Sequence, residues 1–252
     1  MRFVIYSSKM TSLGAKSLAK ALNAVRVFPN GGYVPKPDDI VINWGNSRVP
    51  IWNAPMVWNN WDSVKNAIRK DNTFIYLAEN NIRTVPWTQE RIFAKDWLLN
   101  KEIVFARQQL AASQGQGIVV MHKPEDLVNA PLYTLYVPGC DEYRIHVAFD
   151  KIINFQQKKK KNGANADKYI RSYEKGWIFA RQEVVAPNET RLAARKAIRA
   201  LGLHFGAVDI LYNPQTGKEY ILEVNTAPGL DSQNSIDSYA NAFKDYAQEK
   251  YV

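Results

Sequence analysis

Near the C-terminus three oxygen-bearing side chains stand among apolar neighbours. Asp209 lies in Gly206-Ala207-Val208-Asp209-Ile210-Leu211, and Glu223 and Asn225 lie in Tyr220-Ile221-Leu222-Glu223-Val224-Asn225-Thr226-Ala227-Pro228-Gly229. Glu and Asn are disfavoured in strands, yet here they are flanked by Leu222 and Val224. Two carboxylates and an amide oxygen gathered in one place repel each other unless a cation joins them. Hard oxygens with open positions suit Mg²⁺, or Mn²⁺ in its place, held together with a polyphosphate. The bland alternative is a set of polar residues on a solvated sheet face.

Positioning these groups requires two adjacent strands. Both runs are rich in Val, Ile, Leu and Tyr, and Asn213-Pro214-Gln215-Thr216-Gly217 between them supplies turn residues, so a hairpin is expected. Side chains alternate along a strand, so Glu223 and Asn225 point the same way and Asp209 can lie across from them.

Cations gather upstream. Ile103 to Arg107 reads as a strand with Arg107 at its end. The small-residue loop Ala111-Ala112-Ser113-Gln114-Gly115-Gln116-Gly117 follows, and then a strand from Gly117 to Val120. Such loops can bring backbone N–H groups onto phosphate oxygens, although this one is neither a Walker loop nor a Rossmann fingerprint and an ordinary hairpin competes with that reading. Leu132 to Val137 reads as a strand, and after Pro138-Gly139 the segment Glu142 to Phe149 alternates so that Glu142, Arg144 and His146 share a face. His146 is either a base for an amine or a structural histidine. Lys151 to Gln157 is the returning strand, with Lys158 to Lys161 at its end, and Tyr169-Ile170-Arg171-Ser172 adds another cation. The lysine run is either a solvated surface or a phosphate contact.

The rest of the chain supplies scaffold. Phe3–Tyr6, Val25–Phe28 and Asp39–Asn43 read as strands and Leu13–Leu22 as an amphipathic helix, which together predict a small α/β lobe with a largely parallel sheet. Asn43 to Ser47, at a strand's carboxyl end, is a candidate ligand-holding turn or simply a tight turn with a packed Trp44. Asp62 is expected to cap a helix through Ile68, and Asp71 another through about Glu79. Pro187 should open a helix to about Leu201 with Leu192, Ala193, Ala197, Ile198 and Leu201 facing inward, and Ser235 to Tyr246 a closing helix.

With 252 residues, 46% of them hydrophobic, the chain should fold with a real core. Its one cysteine, Cys140, excludes an internal disulfide or a multi-cysteine zinc site. No run of about 18 apolar residues occurs, and the first residues are too short an apolar run for a signal peptide, so a soluble cytoplasmic protein is expected. The net charge of +9 favours an anionic partner: nucleotide phosphate, an acidic protein or nucleic acid.

In order, Ala106-Arg107, Ser113-Gln114-Gly115-Gln116-Gly117, Asp141 to Val147, Ile170-Arg171-Ser172, Ala207-Val208-Asp209 and Leu222 to Gly229 resemble the motifs of the ATP-grasp superfamily. The likeness is to carboxylate-amine ligases of the ribosomal-protein glutamate ligase type, and more closely to compact phage-encoded versions, which would place the protein in a host cytoplasm. It runs from about Val41 to Gly229. It implies an α/β (α+β) fold with an N-terminal lobe over 1–84, a lid subdomain over 85–136 and a metal-bearing subdomain over 137–252.

The resemblance also implies ATP between two antiparallel sheets. Its adenine would lie near Leu135, Tyr136 and Val137, and its phosphates under Ser113, Gln114, Gly115, Gln116 and Gly117 with Arg107, Glu142 and Lys158. Arg107 stands where the family most often has lysine. Asp209, Glu223 and Asn225 would hold one or two Mg²⁺ ions, with Arg144, Arg171 and Lys158 serving catalysis. The implied reaction activates a carboxylate of an amino acid or peptide as an acylphosphate, which an amine on a small molecule, protein or modified nucleotide attacks to give an amide. A homo-oligomer is compatible with the resemblance. Two other readings stay open: an ATP-binding protein without ligase turnover, and a basic nucleic-acid-binding module.

Overall fold

Apolar runs at the start of the chain build a parallel sheet. In the computed structural model, which describes residues 1–7, 9–111 and 115–251, β1 (Arg2–Ser7), α1 (Leu13–Leu22), β2 (Val25–Val27), β3 (Asp39–Trp44) and β4 (Met56–Trp58) form a four-stranded sheet ordered β2-β1-β3-β4, every pair parallel. The Ser12 hydroxyl caps α1 by accepting from the Ala15 N–H, and Asn23 in the left-handed region ends it. β4 escaped the sequence reading because three residues carry too little periodicity.

Two helices then lead away, α2 (Trp61–Ile68) and α3 (Lys70–Glu79). The cap of α2 is Asn60, not Asp62. Its side-chain oxygen accepts from Ser63 N–H at 2.8 Å, which leaves Asp62 in the first turn. Asp71 likewise lies inside α3, in a two-pronged ion pair with Arg69.

The second sheet, ordered β5-β8-β6-β7, comprises β5 (Trp87–Thr88), β6 (Val104–Arg107), β7 (Ile118–Met121) and β8 (Leu132–Leu135), all antiparallel, with α4 (Arg91–Leu99) packed on it. The third, ordered β11-β10-β9-β12-β13, is also antiparallel. It contains β9 (Asp141–Ala148), β10 (Lys151–Lys160), β11 (Trp177–Ala180), β12 (Phe205–Asn213) and β13 (Lys218–Asn225).

On the third sheet's outer face lies α5 (Asn188–Ala200), which buries Ala193, Ala194, Ala197 and Ile198 against Ile145, Val208, Ile210 and Val224. Leu192 does not join them. It is exposed, because the buried stripe 190, 193, 194, 197 and 198 passes it by on a helix of 3.6 residues per turn. The last helix, α6 (Gln233–Tyr251), packs Tyr239 and Phe243 with Leu18, Ile42, Trp44 and Phe205 and so closes the first lobe's core. Trp58 belongs to that core, and Trp61 packs on Tyr6 and Trp52.

Asn59 welds the first lobe to the third sheet. Held at φ 59° and fully buried, it donates to Phe205 O at 2.9 Å and accepts from the His204 and Phe205 N–H groups at 2.7 and 3.2 Å. Asn59→Ala would strand these backbone groups and put alanine in a left-handed conformation. A loss of about 2–4 kcal/mol in urea unfolding is expected.

Candidate active site

The hairpin forms as its turn residues demand. The Asn213 side-chain oxygen accepts from the Gln215 and Thr216 N–H groups, and Gly217 takes φ 65°. Pairing sets Asp209 opposite Glu223 and Ile210 opposite Ile221, so Leu222 is an extra, bulged residue. The bulge lets Leu222 and Glu223 both face a cavity while Ile221 and Val224 stay in the core under α5. Asn225 follows on the cavity side, its amide 3.2 Å from Glu223 and 3.5 Å from Asp209. The expected convergence of Asp209, Glu223 and Asn225 is therefore present.

The carboxylates are not bare. Arg144, from the neighbouring β9, grips both oxygens of Asp209 at 2.6 and 2.7 Å, and Lys70 Nζ lies 3.2 Å from Glu223. Burial pushes the Glu223 carboxyl up, but Lys70, Arg144 and its hydrogen bonds outweigh burial and hold it down to about 2. For Asp209, burial raises the carboxyl against the pull of Arg144. Lys70 was not among the residues singled out from sequence, where it is one lysine among many.

The cavity, about 770 Å³, lies between the second and third sheets. Of the residues expected there, Arg107, Gly115, Leu135, Tyr136, Val137, Glu142, Arg144, Lys158 and Arg171 line it, together with the acidic hairpin. Ser113 and Gln114 lie outside the described residues. Gln116 is exposed and, like Gly117, stands off the lining. Gly115 takes φ 77°, and a Cβ there would meet Ile170 at 2.6 Å, so the loop approaches the 169–172 segment as only glycine allows.

Lys158 points inward because β10 runs on through Lys160, placing Lys158 opposite Phe179. The Phe179 ring lies 4.2 Å from the Arg144 guanidinium and 4.3 Å from the Lys158 ammonium. Glu142 is buried between Lys158 at 3.4 Å and Arg171 at 3.8 Å. Burial raises its carboxyl, and Lys158 is the chief opposing influence. Strand β11, which carries Phe179, was not anticipated from sequence because a four-residue strand after a loop has no clear period.

Arg107 tests what the cavity can hold. Only 8% exposed, it touches Thr134 Oγ1 at 3.3 Å, and among the described residues no carboxylate comes within ion-pair distance. Burial depresses it, with Glu223 opposing. A desolvated guanidinium on a cavity wall is costly alone and well placed for an anion. Four cations on the lining and an oxygen cluster beside them fit a polyphosphate with its metal. The N–H groups of Leu135 and Tyr136 already bond to Pro86 O and Ile103 O, so these two donors belong to the wall itself.

His146 proves structural. Fully buried and off the lining, it donates from Nδ1 to Tyr239, whose hydroxyl in turn donates to Gly206 O. Its Nε2 is unpartnered, and burial, with Arg144 and Arg181 nearby, drives the imidazole down to about 3. The unfolded chain therefore takes up protons first on acidification. Stability should be intact above the ordinary imidazole value of 6.5 and fall as pH drops towards 3, by up to about 1.4 kcal/mol per pH unit. In urea titrations His146→Phe should flatten this acid limb.

The turn at Asn43 is a turn, as one of its two readings held. Asn43 bonds to Asn46 N–H and O, and Trp44 stacks on Phe205. Trp44 and Gly45 nevertheless line a smaller cavity of about 290 Å³, which shares Glu223 and Asn225 with the larger one.

No protein-family model matches the chain, and no curated protein matches it by sequence. Solved structures match over nearly its whole length. D-alanine–D-alanine ligase from Bacillus anthracis is similar with a TM-score of 0.66 at 14% identity, covering 99% of each chain. The ATP-grasp ligase PsnB, solved with a minimal precursor, Mg and ADP, gives 0.66 at 13%, covering 98% of this chain and 97% of that one. An ATP-grasp RimK domain protein from Sphaerobacter thermophilus DSM 20745 gives 0.64 at 14%, covering 96% and 99%. These likenesses establish the fold: the chain has the ATP-grasp fold. Among the described residues no helix is long and apolar enough to cross a membrane.

Proposed function

We propose that the chain is an ATP- and Mg²⁺-dependent ligase that joins a carboxylate to an amine and releases ADP. The observation that carries this reading is the cavity between two antiparallel sheets, where Arg107, Arg144, Lys158 and Arg171 converge on the Asp209, Glu223 and Asn225 cluster. Its likeness to ligases solved with ATP, or with Mg and ADP, supports it. The division at 84/85 and 136/137 belongs to the same reading.

Mg²⁺ and ATP, when bound, supply the γ-phosphoryl group that activates the carboxylate. The chain's residues position and neutralise, which is most of what phosphoryl transfer asks of a protein. Asp209, Glu223 and Asn225 would hold the metal, while Arg107, Lys158 and Arg171 draw in the phosphates. Glu142 keeps Lys158 and Arg171 aimed into the cavity. The Arg144 fork fixes the orientation of Asp209, and Phe179 shields Arg144 and Lys158 from water. The substrates are an amino acid or peptide carboxylate and an amine.

The lysine run favours this reading over nucleic-acid binding. Lys158 faces the cavity, Lys160 lies over Trp177, and Lys161 covers Tyr173 at 3.3 Å, so the aromatic faces a base would stack on carry the protein's own cations.

The direct test is ADP release from Mg²⁺-ATP across a panel of amino acids. Turnover that requires one amino acid is expected. ADP release indifferent to every amino acid and peptide offered would contradict the ligase reading.

A further inference from the structure

Lys70 stands where α3 meets the acidic hairpin. It is the first residue of α3, with its N–H bonded to Leu110 O at 3.2 Å, and its side chain is 11% exposed. The ammonium stands 3.2 Å from Glu223, on the side of the smaller cavity, which it lines with Glu223 and Asn225.

The charge around the acidic hairpin makes this contact consequential. Arg107, Arg144, Lys158 and Arg171 line the larger cavity and Lys70 adds a fifth cation, against the three carboxylates Glu142, Asp209 and Glu223. Asp231, also on the lining, is paired with Arg181. Counting Lys70 and Arg181, which stand off that lining, the described groups around the hairpin carry two positive charges in excess. A divalent cation arriving alone would double that excess in a poorly solvated place and would also have to compete with an ammonium for Glu223. A polyphosphate arriving with it reverses the balance.

We propose that Lys70 is the resident counter-ion of Glu223, holding that carboxylate until a nucleotide brings the metal, and so makes metal binding conditional on the nucleotide. This rests on the reading of the larger cavity as a metal-nucleotide site. The smaller cavity gives the displaced ammonium room to withdraw. Lys70 is in this sense a positioning residue: it acts on the metal through Glu223.

The test is a Mn²⁺ titration of the full chain, followed by electron paramagnetic resonance of the free ion, with and without ADP. Without ADP, Lys70→Met should bind Mn²⁺ about tenfold or more tightly than the wild type, because a like charge next to the ion has gone. With ADP present the two should converge, and Lys70→Arg, which keeps the charge, should follow the wild type. Adding Glu223→Gln to Lys70→Met should remove the gain. Should Lys70→Met melt well below the wild type, Lys70→Gln, which keeps a donor to Glu223, carries the same titration and the same expectation. Equal Mn²⁺ affinity of wild type and uncharged variant without ADP, with ADP recruiting Mn²⁺ to both, would overturn the role of Lys70 alone. Failure of ADP to recruit Mn²⁺ to any variant would overturn the metal-nucleotide reading and this inference with it.

Discussion

Glu223→Ala is expected to lower ADP release by about 10²–10³-fold, the range seen when one preorganised electrostatic contact to a reacting group is removed. Glu223 is the triad's most strongly acidic member, held to about 2 by Lys70 and Arg144 against burial, and the bulge at Leu222 turns it into the cavity. Alanine removes the carboxylate and with it the ion pair to Lys70. The double variant Glu223→Ala, Lys70→Met should recover stability but not turnover. Steady-state ADP release beside thermal unfolding separates the two effects. A variant that turns over ATP like the wild type would place the metal elsewhere.

Arg107→Met should act in opposite directions on binding and on stability. Among the described residues the buried Arg107 guanidinium has no carboxylate partner and is a desolvated charge, so its removal should stabilise the free chain by about 1 kcal/mol. The same change should weaken nucleotide binding by about 10²-fold, through loss of a charge-assisted contact of about 2–3 kcal/mol. Arg107→Lys should retain most of the affinity with its point charge. Calorimetric titration with ADP, run beside urea unfolding, reads both signs. A purely structural Arg107 would instead lose stability when replaced.

Much of this site was legible in the sequence because it depends on local pattern. Alternation in Tyr220 to Asn225 places Glu223 and Asn225 on one face, and the Asn213 to Gly217 turn residues fix the partner strand, so Asp209 falls opposite. The helix α1 and the parallel first sheet follow equally directly from apolar periodicity. What stayed hidden depends on tertiary arrangement. The pairing of Arg144 with Asp209 requires β9 and β12 to be neighbours, although 65 residues separate the two side chains. Lys70 reaches Glu223 only because α3 packs beside β13, and nothing in its local sequence marks it. Leu192 misled because its residue type outweighed its angular position, and Asp62 because Asn60, two residues earlier, caps as well and begins the helix where packing requires. His146 shares a face with Arg144, as alternation says, but α6 covers that end of the sheet and makes it a buried partner of Tyr239.

The proposed activity is the activation of a carboxylate in this cavity by the γ-phosphoryl group of ATP. Its most direct test is trapping with hydroxylamine in the presence of Mg²⁺-ATP and the amino-acid panel, with hydroxamate measured against ADP. Hydroxamate and ADP are expected in equal amounts with the accepted carboxylate, and both about 10²–10³-fold lower with Glu223→Ala. ADP accompanied only by free phosphate, with no hydroxamate from any carboxylate, would contradict it.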